Sequence, residues 1–192
     1  MSSVTLPFQA HRTTLPDVLV IDPVVFGDHR GYFLEVWSRE HYRGLGLPAA
    51  FAQDNVSRSD RGVLRGLHLQ HPFAQGKLVH VLDGEIFDVA VDVRVASPTF
   101  GRWVGERLSG RNHRQLYIPP GFAHGFCVLS ASALVAYKAT EPYHPEAELG
   151  IAWNDPALNI DWPLAVPVLS PKDAAAPRLA DVPLARLPRF ER

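Results

Sequence analysis

The stretch Lys77-Leu78-Val79-His80-Val81-Leu82-Asp83-Gly84-Glu85-Ile86-Phe87-Asp88-Val89-Ala90-Val91-Asp92-Val93 decides the fold class. Two runs rich in β-branched residues flank Asp83-Gly84, a dipeptide suited to the positive backbone angles of a tight hairpin turn. The register this predicts pairs Leu82 with Glu85, Val79 with Asp88 and Lys77 with Ala90. Side chains alternate along a strand, so Phe87, Val89, Val91 and Val93 form one apolar face. Lys77, Asp88 and Asp92 fall on the other, with Lys77 and Asp88 as diagonal neighbours. On a solvated surface such an ion pair contributes about 0–1 kcal/mol. Lining a barrel interior, it points to chemistry instead.

Outward from this stretch, period-2 apolar patterns recur at residues 18–21, 31–36, 78–82, 86–93, 116–118, 126–129 and 133–137. Seventeen prolines and 14 glycines punctuate the chain, and long helical periodicity is absent. A short helix is expected from Ser38 to about Leu45, ended by Gly44 or Gly46. Ser170-Pro171-Lys172-Asp173 has an N-cap serine, proline at the first helical position and an acid at the third, which opens a short turn or helix. The segment after Asp173 is rich in Pro, Ala and Arg and is expected to pack loosely. Many short strands without intervening helices imply an all-β antiparallel sandwich or barrel.

The chain has 192 residues, 46% hydrophobic and 20% charged, the range of one ordinary globular domain. A net charge of −1 argues against a whole-molecule grip on nucleic acid or an anionic membrane, while leaving room for a local diphosphate pocket. Cys127 is the single cysteine, so neither an intrachain disulfide nor a thiolate metal cluster can form. Residues 1–14 are polar and read as no secretory leader, and no apolar run reaches membrane-spanning length. A cytoplasmic location is the expectation.

Polar residues concentrate in three places. The first runs from Gln53-Asp54-Asn55 through Arg65-Gly66-Leu67-His68-Leu69-Gln70 to Gln75-Gly76-Lys77, the second is Pro119 to Phe126, and the third joins Tyr137-Lys138 to Lys172-Asp173. Metal-holding cupin barrels combine an H-x-H pair and a glutamate with a histidine following P-x-G. Pro119, Gly121 and His124 supply the second part, but His68 is followed by Leu69 and Gln70, and Lys77 stands where an acid is wanted. An ammonium opposes a divalent cation, so no metal is expected. The remaining groups suit proton transfer beside a ketone: an imidazole base, an electrophile for the enolate oxygen and an acid on the other face. His68, Lys77 and Tyr137 are the candidates, with Asp173 a candidate to orient the imidazole.

At these residues the chain resembles the dTDP-4-dehydrorhamnose 3,5-epimerase family. The match is collinear from about residue 16 to 176. Its landmarks are Phe26-Gly27-Asp28-His29-Arg30-Gly31 with Glu35, Gln53-Asp54-Asn55, Gly62 to His68, Ala74 to Val79, Ser97-Pro98-Thr99-Phe100-Gly101, Ile118 to Phe126, Trp153-Asn154-Asp155-Pro156 and Leu169 to Asp173. The resemblance implies one cupin-type jelly-roll domain over 1–192, with a few short helices and a tail at 177–192. It implies a homodimer formed by strand exchange. It implies His68 as base, Asp173 as its partner, Tyr137 as acid and Lys77 at the 4-keto oxygen, with Asp88 beside it. Substrate contacts fall on Arg30, Glu35, Gln53, Asp54, Asn55, Arg65, His124, Tyr143, Glu148 and Lys172. Arg30 and Arg65 suit a diphosphate, since guanidinium forks match phosphate oxygens, while Tyr143 and Phe26 suit stacking on thymine.

The activity this implies is inversion at C3 and C5 of dTDP-4-dehydro-6-deoxy-D-glucose, giving dTDP-4-dehydro-L-rhamnose. No cofactor is required, because the ketone is already present. The rivals are a single-site epimerase at C3 or C5, a metal-dependent cupin and a non-catalytic sugar-nucleotide-binding module. Leu69 to Phe73 departs from commoner family variants and bears on the loop near His68.

Overall fold

A computed structural model describes residues 7–191. Residues 1–6, part of the polar stretch read as carrying no leader, and Arg192 lie outside the described residues. In chain order come β1 (Phe8–Arg12), β2 (Leu19–Pro23), β3 (Phe26–Asp28), β4 (Gly31–Phe33), α1 (Arg39–Arg43), β5 (Gln53–Asp60), β6 (Leu64–Gln70) and β7 (Lys77–Asp83). There follow β8 (Glu85–Asp92), β9 (Trp103–Ser109), β10 (Gln115–Ile118), β11 (Phe122–Val128), β12 (Ser132–Ala139), β13 (Glu148–Gly150) and α2 (Pro171–Ala174). A six-stranded sheet has the order β1-β2-β10-β7-β12-β5 and a five-stranded sheet the order β13-β6-β11-β8-β9. All pairings within them are antiparallel, and together they form a cupin-type jelly roll.

Strand alternation divides the apolar residues into three clusters. Between the sheets, Val20, Val79, Val81, Leu116, Ile118, Ala133 and Val135 meet Ile86, Ala90, Leu108, Phe122, Phe126 and Val128. The odd-numbered face of β8 turns outward: Val89, Val91 and Val93 are covered by Leu158, Leu179, Val182 and Leu187, with Phe87 alongside. On the far side of the six-stranded sheet, Ile21, Leu78 and Tyr117 are covered by Phe8, Tyr42 and Leu47. Each fully buried aliphatic or aromatic side chain contributes roughly 1.5–3 kcal/mol relative to exposure. Helix α1 is the one predicted from Ser38, whose hydroxyl accepts the His41 N–H, and it ends at Gly44.

The hairpin does not form. Strand β7 pairs with β10 and β12, and β8 pairs with β11 and β9, so Asp83-Gly84 is a corner where the chain leaves one sheet for the other. The predicted pairs Leu82–Glu85, Val79–Asp88 and Lys77–Ala90 are therefore absent. The chain does bend at Gly84, though Asp83 stays in β7 and only the glycine takes a positive angle: Gly84 has φ of +83°, and a Cβ there would sit 2.1 Å from the Ser132 carbonyl oxygen. What differs is the fate of the turn's backbone groups. The Glu85 N–H goes to the Ser130 hydroxyl at 2.8 Å, and the Gly84 carbonyl accepts the Gly110 N–H at 3.0 Å. Both strands carry apolar side chains that need an opposing layer, and a corner supplies one where a flat hairpin does not.

Two further expectations are corrected. The strand at 31–36 stops at Phe33. The tail is not loose: Leu187 is 1% exposed, Val182 5% and Leu179 7%, and Val95 forms a parallel bridge with Arg189. Its prolines prevent a regular strand, yet its aliphatic residues still cover the outward face of β8. Leu187→Ala is therefore expected to cost about 2–5 kcal/mol in denaturant unfolding, the range for truncating a buried leucine. A cost below about 0.5 kcal/mol would restore the loose-tail reading.

Candidate active site

Polar groups from five strands converge between the sheets on a cavity of about 160 Å³ lined by Ser57, Arg65, His68, Lys77, His124, Phe126 and Tyr137. The five-stranded sheet supplies His68 and Arg65 from β6, and His124 from the position opposite His68 on β11. The approach of β6 to β11 is close: a Cβ on Gly66 would lie 2.5 Å from the Gly125 Cα, and the φ of +125° suits glycine. The six-stranded sheet supplies Lys77 from β7, Tyr137 from β12 and Ser57 from β5. Lys77 Nζ stands 6.0 Å from the centroid of the Tyr137 ring. Imidazole and phenol thus come from opposite walls of one cavity.

Asp173 reaches this cavity from α2. Its Oδ1 lies 2.5 Å from His68 Nε2, and its Oδ2 accepts the Ser170 hydroxyl at 2.9 Å. The same hydroxyl oxygen accepts the Asp173 N–H at 3.1 Å, so the predicted serine cap also holds the carboxylate. On the neighbouring strand β11, His124 Nε2 lies 3.1 and 3.0 Å from the two oxygens of Asp88. Asp88 is fully buried, and its charge acts on Lys77. The expected proximity of Lys77 and Asp88 holds, but it spans the barrel interior between two sheets.

The electrostatics follow from this enclosure. Burial holds the His68 imidazole below the ordinary histidine value, against the upward pull of its hydrogen bond to Asp173. Burial brings the Lys77 ammonium down to about 8, with Asp88 and Glu148 opposing the shift. Burial raises the Tyr137 phenol, while the Arg65 charge works the other way. Near neutral pH the cavity holds a basic imidazole, a cationic ammonium and a protonated phenol.

A second set of residues forms the rim. Glu148 on β13 accepts the Tyr143 hydroxyl at 2.6 Å and pairs with Lys172 of α2. The Tyr143 N–H donates to Gln53 Oε1 at 2.9 Å, and Gln53 Nε2 donates to Asn55 Oδ1 at 2.7 Å. Gln53, Asn55, Tyr143, Glu148 and Lys172 are thus one connected network. Arg65 is steadied by Ser59, whose hydroxyl accepts from Nε at 2.9 Å.

Other expected contacts lie elsewhere. Asp54 sits on the outward phase of β5 and binds Lys138 Nζ at 3.0 Å, so it is not part of this cavity. The QDN motif reads as one unit, but strand alternation sends its middle residue outward. Arg30 lies in the exposed β3–β4 hairpin and pairs with Asp28, with Phe26 57% exposed beside it. Glu35 contacts His41 at 2.8 Å. None of these three lines the cavity. Sequence reasoning missed Ser57 and Phe126. The signal for Ser57 is that Gln53, Asn55, Ser57 and Ser59 share one phase of β5, which becomes readable only once β5 is known as a strand. The Ser57 hydroxyl is buried in the cavity wall without a protein partner. Among the described residues, no three His, Cys, Asp or Glu side chains converge as a metal-ligand set.

Residues 12–181 match the family model for dTDP-4-dehydrorhamnose 3,5-epimerase. The dTDP-4-dehydrorhamnose 3,5-epimerase of Pseudomonas aeruginosa is 56% identical over 175 residues, which cover 90% of this chain and 97% of that protein. Among solved structures, dTDP-6-deoxy-D-glucose-3,5-epimerase RmlC from Legionella pneumophila, in complex with dTDP-4-keto-L-rhamnose, matches with a TM-score of 0.94 at 53% identity. The alignment covers 96% of this chain and all of that one (100%). ChmJ from Streptomyces bikiniensis, a 3'-monoepimerase in complex with dTDP-quinovose, matches with a TM-score of 0.87 at 36% identity, covering 93% and 92% of the two chains. Fold, ordered motifs and overall identity agree, and the chain belongs to the dTDP-4-dehydrorhamnose 3,5-epimerase family.

Proposed function

We propose that this chain inverts C3 and C5 of dTDP-4-dehydro-6-deoxy-D-glucose to give dTDP-4-dehydro-L-rhamnose. The observation that carries this is the presence of His68 and Tyr137 on opposite walls of one cavity, with Lys77 beside Tyr137. Inversion requires that a proton leave one face of the ring and another arrive on the opposite face. The 4-ketone acidifies the neighbouring C–H bonds. His68, oriented by Asp173, takes the proton, and the electron pair moves onto the 4-oxygen. The Lys77 ammonium stabilises that enolate, with the unpartnered Ser57 hydroxyl as a second donor in reach of the cavity. Tyr137 returns a proton from the far wall, and solvent restores both groups. The second centre follows after the ring turns.

A cavity of about 160 Å³ is smaller than the ~300–1,000 Å³ of a pocket for a drug-sized ligand. It suits one pyranose ring, leaving the nucleotide at the rim. Arg65 then takes a phosphate, and Tyr143, Glu148, Lys172, Gln53 and Asn55 line the approach. Arg30, Glu35 and Phe26 belong to the cavity of a partner subunit in a strand-exchanged homodimer, which fits their distance from their own. A single domain acting in the cytoplasm completes the reading. Among the described residues, no helix is long and apolar enough to cross a membrane. The likeness to a 3'-monoepimerase supports one alternative, inversion at a single centre. NMR of the product separates the two.

In D₂O, product is expected to carry deuterium at both C3 and C5. Label at one centre selects the monoepimerase, and label at neither removes the proton-transfer mechanism altogether. His68→Ala is expected to lose about 10²–10⁴-fold in kcat, and near-normal turnover would dismiss His68 as base. Tyr137→Phe should still exchange substrate hydrogen with solvent while forming inverted product at least ~10²-fold more slowly. The pH profile of kcat/KM has a predicted sign on each limb. It falls on the acid side, below the ordinary histidine value, as His68 gains a proton, and on the alkaline side near about 8 as Lys77 loses its own. Lys77→Met should abolish the alkaline limb, and a limb that persists there assigns it to another group.

A further inference from the structure

We propose that Ser170 is a positioning residue for the His68–Asp173 pair, holding the carboxylate in the one orientation that serves the base. The proposal rests on the reading of His68 as base and adds a residue to it. The two oxygens of Asp173 have separate tasks: Oδ1 faces His68 Nε2 at 2.5 Å, and Oδ2 accepts the Ser170 hydroxyl at 2.9 Å. A carboxylate rotates freely about its terminal bond, and a donor on each oxygen removes that freedom. The Ser170 oxygen is itself fixed, because it accepts the Asp173 N–H at 3.1 Å. Its single proton therefore points at Oδ2.

The surroundings leave few substitutes. Asp173 is 5% exposed, so water has little access to replace a lost donor. Lys172, the adjacent cation on α2, is engaged by Glu148. Helix α2 has only four residues and little rigidity of its own. The chain is anchored upstream, where the Val168 N–H donates to Gly62 O at 2.8 Å, and downstream, where the Pro177 carbonyl accepts the Ala152 N–H at 2.7 Å. Between these anchors, Ser170 ties the Asp173 side chain to its own helix. An Asp173 held this way keeps the proton on His68 Nε2 and leaves the lone pair on Nδ1 for abstraction.

The charged and titratable groups around His68 are Asp173 from α2, Lys77 from β7, Glu148 from β13, Arg65 from β6 itself, His124 from β11 and Tyr137 from β12. Freeing Asp173 weakens its upward pull, so the acid limb moves to lower pH. The test compares full-length Ser170→Ala, Ser170→Gly and Ser170→Thr with the native enzyme. Glycine remains a competent helix cap, which separates loss of the donor from loss of the cap. Expected for Ala and Gly alike is a kcat lower by ~10–100-fold, the scale of a small misplacement of a catalytic group. KM should stay within about 2-fold, with the acid limb lower and solvent deuterium uptake slowed in parallel. Threonine restores the hydroxyl and should recover kcat and the limb. The proposal is overturned if Gly retains native kcat and limb, or if Thr is as slow as Ala. Full activity in His68→Ala would instead remove the reading beneath it.

Discussion

An ammonium inside a protein is stable only where opposite charge accompanies it, and Lys77 sets the terms for the rest of this molecule. It projects into the space between two sheets, where desolvation brings its ionisation down to about 8. Asp88, on the facing sheet, and Glu148, on β13, supply the compensating charge. Asp88 in turn is fully buried and needs His124. Glu148 is held by Tyr143 and Lys172, which draws in α2 and the rim. Buried polar groups of this kind stand or fall as a set, because one missing partner strands the others away from water.

The jelly roll makes such a set possible by dividing its interior. One part of the seam is filled by Val79, Val81, Ile86, Leu108, Leu116 and Val135, which lock the sheets together. The other part is left to His68, Lys77, His124 and Tyr137. Apolar packing fixes the spacing of the walls, and the polar part inherits that spacing. Groups on separate sheets cannot collapse onto each other, as neighbours on one strand can. A reaction that needs two faces of a ring addressed independently gains from this separation.

Much of this was legible in the sequence. Period-2 patterns identified β7, β8, β10 and β12, and the serine cap identified α2, because each depends on local preference alone. Strand β5 was opaque as a strand, since its inward phase, Gln53, Asn55, Ser57 and Ser59, is polar for the sake of the cavity. Asp83-Gly84 marked a bend, made by Gly84 alone, and not a hairpin, because a dipeptide does not specify the sheet the chain then joins. Asp54 was drawn into the site by motif contiguity, which strand alternation overrides. His68 and Asp173 were paired by resemblance, and nothing in their spacing reveals it. Arg30 and Glu35 show the opposite limit, since their family positions do not reveal that they lie away from this cavity.

His68 and Asp173 stand 105 residues apart along the chain, yet share a hydrogen bond of 2.5 Å. Closing that span depends on β6 and α2 being held against each other by the sheets that lie between them in sequence. Turnover in this enzyme is thus a gauge of the intact native fold: any opening that parts β6 from α2 takes the carboxylate from the imidazole.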